Sequence, residues 1–284
     1  MGALDGVTVV DFTRQLPGPY ASRELLRRGA RVVKVEPPAG DPIPPGWYRE
    51  LNAGKEVLAW DAGSDPPPAV LAEADVVIEG FRPGVFERLG LAVPDDAIVC
   101  SITGYGAAGP RAQDAGHDLN YLGYAGVLHE TAPAVPPVQI ADLAAGAQAA
   151  VIEILAALLE RGRSGRGARV VVSMTRNTHE LAAHRLTGEP VPRLLTGGAA
   201  CYRVYETADG RHLTVAALEP KFWRNLSRLL GRDDLADRAF EPALPELDAL
   251  FRTRPLADWL ALLEHEDTCV GPVLTLEEAA AELA

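Results

Sequence analysis

Between Gly6 and Glu36 the chain passes through an apolar run, a turn, a helical stretch and a second apolar run, an order that leaves few folds open. Residues 7–12 are expected as a buried strand, 19–28 as a helix and 30–35 as a second strand. Strands joined by a helical crossover run parallel, and a parallel pair needs cover on both faces. Further apolar runs at 57–60, 75–78 and 97–102 are expected as buried strands of the same sheet, with helical or turn-rich segments between them.

Residues 142–161 (DLAAGAQAAVIEILAALLER) form the clearest helix, opening on acidic Asp142 and closing in GRSGRG before a β-rich run at 169–173. After Ser173 the order changes. A helical stretch at 177–186 and a Pro190-Val191-Pro192 link lead into TGGAACYRVYETADGRHLTVAAL, a hairpin with Asp209-Gly210 at its turn. Amphipathic helices are expected at 220–230, 245–251 and 256–264. The fold class is therefore α/β: a large Rossmann-like parallel-sheet domain over residues 1–195 and a smaller α+β domain over 196–284.

The net charge of −12 and a pI near 5.0 argue against a nonspecific grip on nucleic acid or an anionic membrane. The three cysteines are scattered and unpaired in sequence, as expected of a reducing compartment, the cytoplasm, and of a chain with no zinc site and no other metal. The start, MGALDGVTVVDF, lacks a basic lead and an apolar run, and no stretch is expected to cross a membrane.

A first βαβ unit ending in acidic Glu36 invites a dinucleotide reading, but its loop, RQLPGPY, carries one glycine where a pyrophosphate turn needs three. GRSGRG sits at a helix C-terminus, where the dipole repels anions, and is expected as a capped turn. The informative stretch is AGHDLNYLGYAGVL, residues 115–128, where a His117-Asp118 pair follows Gly116 and precedes polar Asn120 and Tyr121. His117 is a candidate acid/base, or else a capping residue. Asp142 opens the long helix, where a carboxylate and free backbone N–H groups share one spot; it is a candidate acid/base or a simple N-cap. Glu219, before Pro220 at a strand-to-helix junction, is open to the same two readings.

Taken together, GVTVVDFTRQLPGPYAS, GARVVKVEPP, LNAGK, ADVVIEGFRPGVFERLGL, SITGYGAAGP, AGHDLNY, PPVQIADLAAG, GRSGRGARVVVSM, TGGAACYRVYETADGRHLTVAALEPKFW and DTCVGPVL occur in an order that resembles the class III coenzyme A transferase family, most closely its α-methylacyl-CoA racemase branch. The resemblance implies catalytic roles for His117 and Asp142 as two bases, with Glu219 supporting the histidine. It implies coenzyme A contacts at Ala59, Trp60, Asp61, Arg82, Gly116, Asp118, Asn120 and Tyr121, with coenzyme A arriving as part of an acyl-CoA substrate and no cofactor permanently bound. It also implies an interlocked homodimer, and a C-terminal return segment before which the given sequence ends.

The expected activity is racemisation: one base removes the proton α to the thioester carbonyl, helix-start amides hold the enolate, and the opposite acid returns a proton. For His117 and Asp142 to exchange roles, burial must raise the Asp142 pKa. The alternatives are a coenzyme A transferase in which Asp142 attacks the thioester carbonyl, and a family member that binds acyl-CoA without turnover.

Overall fold

The computed structural model describes residues 2–242, 244–263 and 265–284. They divide into two compact units, residues 1–186 and 187–284. The Pro-rich link belongs to the second unit, because its Val191 and Leu194 pack on that unit's core; the division therefore falls at Leu186, ahead of Thr196.

In chain order the first unit contains β1 (Thr8–Asp11), α1 (Pro17–Leu26), β2 (Arg31–Glu36), α2 (Pro45–Asn52), β3 (Glu56–Ala59), β4 (Val76–Glu79), α3 (Val85–Arg88) and β5 (Ile98–Thr103). Then come α4 (Asp118–Ala125), a widely wound segment Ala141–Gln148 continuing into α5 (Ala149–Ser164), β6 (Ala168–Ser173) and α6 (Met174–Ala182). The six strands are all parallel, in the order β3-β2-β1-β4-β5-β6. Strand order reverses between β1 and β4, which opens a crevice at the carboxyl ends of the strands.

The apolar runs are continuous because both sheet faces are covered. Val9, Val76, Ile78, Ile98 and Cys100 join the core with Leu25 of α1 and Ile154 of α5. Val10, Val35, Val77 and Val99 face the other way, onto Phe12, Trp60 and Phe86. Phe12 meets the Trp60 and Phe86 rings edge-on at 5.7 and 6.3 Å, a favoured arrangement.

β3 corrects an expectation. Its residues are all exposed, Val57 to 53%, because among the described residues it pairs only with β2 and forms an edge of the sheet. The continuous helix Ala141–Ser164 also exceeds expectation, being long and apolar enough to span a bilayer by length and composition. One stripe of it, including Ala147, Ala150, Val151 and Ile154, is buried in the core instead. Its C-terminus is the capped turn expected of GRSGRG: Gly165 is left-handed (φ 68°) and donates its N–H to Arg161 O at 2.8 Å.

Beneath the first crossover lies a buried charge network. Asp11, at the end of β1, faces Lys55 Nζ at 3.5 Å and accepts from Ser22 and Thr13. Lys55 also donates to Pro19 O, Ser22 Oγ and Asn52 Oδ1 at 2.7–2.9 Å. Lys34, in the middle of β2, donates to Thr13 O at 2.9 Å and pairs with Asp41 at 3.5 Å. Burial alone would raise the Asp11 pKa, but Lys55 and Lys34, together with the hydrogen bonds from Ser22 and Thr13, outweigh it and hold the carboxyl below its ordinary value. Lys55 is pushed down to about 8, chiefly by burial.

The second unit is built on the antiparallel sheet β7 (Tyr202–Glu206), β8 (His212–Ala216) and β9 (Val270–Pro272), with α7 (Pro220–Leu229), α8 (Pro245–Phe251), α9 (Leu256–Leu263) and α10 (Leu276–Glu282) around it. The expected hairpin turn is present. Gly210 has φ 72°, and Thr207 Oγ1 donates to Asp209 Oδ1 at 2.6 Å. Trp223, Trp259, Phe251 and Tyr205 fill the core. Glu264, the last residue of one expected helix, lies outside the described residues, as does Met1.

Candidate functional site

A cavity of about 530 Å³ occupies the crevice of the first unit. It is walled by the chain leaving β1 (Phe12, Thr13, Arg14), β4 (Gly80, Phe81, Arg82), β5 (Gly104, Tyr105) and β6 (Met174), and roofed by Gly116, His117, Asn120 and Tyr121. Asp142 completes the lining. Two residues 25 positions apart in sequence, His117 and Asp142, thus share one cavity at the switch point of the sheet.

His117 is the residue before α4, held in extended backbone at φ −128°, ψ 175°. Asn120 Oδ1 accepts its backbone N–H at 3.1 Å, so Asn120 fixes the entry to the helix. The Tyr121 hydroxyl donates to Gly116 O, and its ring lies so near Gly104 and Gly116 that a Cβ at either would come within 2.5 and 2.7 Å of it. Both glycines are therefore required by close approach. Burial, followed by the charge of Asp142, pushes the Tyr121 hydroxyl up to about 12.

Asp142 sits inside the first turn of its helix and is not the cap, because winding begins at Ile140. Its backbone N–H donates to Asp118 Oδ1 at 3.0 Å, and the next N–H, of Leu143, goes to Gln139 O at 2.8 Å. These two amides are committed inside the protein, which removes them from the expected role of holding an enolate. The Asp142 carboxyl is pushed up to about 7, first by burial and then by the like charge of Asp118. A carboxyl so placed exists at neutral pH both as acid and as base.

The other expected contacts are placed as follows. Arg82 lines the cavity and donates to Gln113 O at 2.8 Å. Asp118 does not line it; it joins the start of α4 to the start of the Asp142 helix. Ala59, Trp60 and Asp61 lie outside the lining, at the end of edge strand β3. Trp60 is buried with its indole N–H on Pro66 O, and Asp61 closes a turn by accepting from Gly63. Glu219 stands in the second unit as the residue before α7, with Pro220 at the first helical position and no side-chain cap bond. The β1 loop was read only as a poor pyrophosphate turn, and Thr13 and Arg14 were not singled out as site residues; the available signal was Lys34, a charge between two apolar residues of a buried strand.

The first unit is thus a doubly wound α/β unit with a histidine and a raised carboxyl in its switch-point crevice, the place where such folds take small-molecule ligands. Sequence comparison then fixes the family: the model of CoA-transferase family III matches residues 4–283, and the chain belongs to that family. Human alpha-methylacyl-CoA racemase is 33% identical over 97% of this chain and 79% of its own length. Mouse succinyl-CoA:glutarate CoA-transferase is 29% identical over 99% of this chain and 74% of its own length. A crystal structure of the Mycobacterium tuberculosis protein Rv3272 superposes with a TM-score of 0.81 at 30% identity, covering 99% of this chain and 86% of that one.

Proposed function

We propose that the protein is an acyl-CoA racemase that exchanges the proton on the carbon α to the thioester carbonyl, with His117 and Asp142 as its two bases. The observation that carries this reading is the Asp142 carboxyl, raised to about 7 in the cavity that His117 lines. Ionised, Asp142 accepts the α-proton from one face while protonated His117 delivers one to the other; in the reverse sense neutral imidazole accepts and the Asp142 carboxylic acid donates. Each turnover breaks one C–H bond and forms another, and the intervening enolate is planar, so configuration is lost. Racemase relatives support this reading, and transferase relatives at similar identity make acyl transfer through Asp142 the competing one.

In heavy water, a 2-methylacyl-CoA incubated with the protein is expected to gain deuterium at the α-carbon, and His117→Ala is expected to abolish the uptake, followed by mass spectrometry. Acyl exchange onto a free acid without label establishes the transferase instead. Binding with neither reaction establishes an acyl-CoA binder.

A further inference from the structure

The loop after β1 is held more firmly than an exposed loop requires. Thr13 is fixed on both of its backbone polar groups: its N–H donates to buried Asp11 at 2.8 Å, and its carbonyl accepts from buried Lys34 at 2.9 Å. Gln15, two residues on, has a left-handed backbone at φ 68°, uncommon outside glycine, and its N–H donates to both oxygens of Asp41 at 2.9 and 3.1 Å. Lys34 and Asp41 form an ion pair at 3.5 Å whose side chains are both fully buried. The backbone on either side of Arg14 is thus pinned by one buried ion pair.

Arg14 itself lines the cavity and makes no hydrogen bond, ion pair or ring contact with a described residue. The other charged groups of the lining differ. Arg82 is occupied by Gln113 O, Asp114 pairs with Arg111 at 3.2 Å, and Asp142 is raised toward neutrality. A chain of net charge −12 therefore presents a free guanidinium, on a strained and preorganised loop, to the same space as His117 and Asp142. Guanidinium forks match the geometry of carboxylates and phosphates, and a fixed backbone on either side of Arg14 confines the ordering on binding to its side chain.

We infer that Arg14 is the anchor for an oxyanion of the substrate, either a carboxylate at the far end of the acyl group or a phosphate of its coenzyme A. The inference rests on the thioester reading for what enters the cavity. It adds a substrate class: if the acyl carboxylate is the source, the preferred substrates are thioesters of branched dicarboxylic acids.

The test is calorimetric binding to the wild type and Arg14→Gln, with coenzyme A, 2-methylbutanoyl-CoA and 2-methylsuccinyl-CoA. The last two differ by a methyl group against a carboxylate. With a carboxylate source, Arg14→Gln weakens 2-methylsuccinyl-CoA by about ten-fold or more and leaves the other two within about two-fold. With a phosphate source, it weakens all three alike by that factor. Arg14 is exposed, so the variant is expected to fold, which a thermal melt checks. Affinities for all three ligands within about two-fold of wild type overturn the inference. A wild type that binds but takes up no deuterium defeats the racemase reading and leaves the anchor standing; a wild type that binds none of the three defeats both.

Discussion

Asp11 at the end of β1 and Asp142 in the first turn of its helix belong to one unit, and their surroundings push them in opposite directions. Asp11 is fully buried yet charged, because Lys55 and Lys34 stand beside it and Ser22 and Thr13 donate to it. Asp142 is less buried, but the charge acting on it is a second carboxylate, Asp118, and the proton is held up to about pH 7. Burial raises both carboxyls, and the charge of the neighbours decides whether that rise is cancelled or kept. A carboxylate met by cations braces the fold, and one denied them is left free for chemistry.

The largest expected effect comes from breaking the braced site. Asp11→Ala leaves Lys55 buried without its counter-charge and is expected to cost about 3–5 kcal/mol in denaturant unfolding. A loss near zero breaks the comparison, since the network would then carry no stability. Next, Asp142→Asn is expected to abolish deuterium uptake without loss of stability at neutral pH. The sign follows from the shift: a carboxyl raised from 3.8 to about 7 adds stability that is fully present below pH 3.8 and disappears as pH rises through 7. The non-titrating variant should therefore gain on the wild type across that window in parallel melts. Asp11, lowered in the fold, has the opposite sign: its contribution is present above 3.8 and lost as acid protonates it.

The smallest effect sharpens the cause. Asp118→Asn keeps an oxygen for the Asp142 N–H but removes the like charge, so the Asp142 midpoint should fall below 7 while its amide stays protected from exchange. The groups acting with Asp142 include Asp118 and Tyr121 on α4, with His117 in the same cavity. Carbon-13 titration of the carboxyl reads the shift, and an unmoved midpoint assigns the whole effect to burial.

The sheet was legible because the central strands are apolar runs between turns, and a helix separates the first two. Edge position was not: Val57 and Leu58 look like any buried pair until the absence of a further strand beyond them is known. β9 offered only Val-Gly-Pro, too short and too poor in periodicity to register. At the cavity, His117 and Asp142 stood out through their motifs, whereas Arg14 sits in a loop whose conformation depends on residues 34 and 41. Such dependence has no local sequence signature. The same holds for Asp118, whose partner backbone lies 24 residues away.

The widely wound opening Ala141–Gln148 fits more residues into each turn than a regular helix does. Asp142, its second residue, owes its bearing around the helix axis to that slack. Excising a single residue between 143 and 148 would remove the residue that regular winding cannot hold, so the coil would tighten and the wide turn that carries Asp142 would be lost; the number of residues in this stretch is a setting of the site as real as their identity.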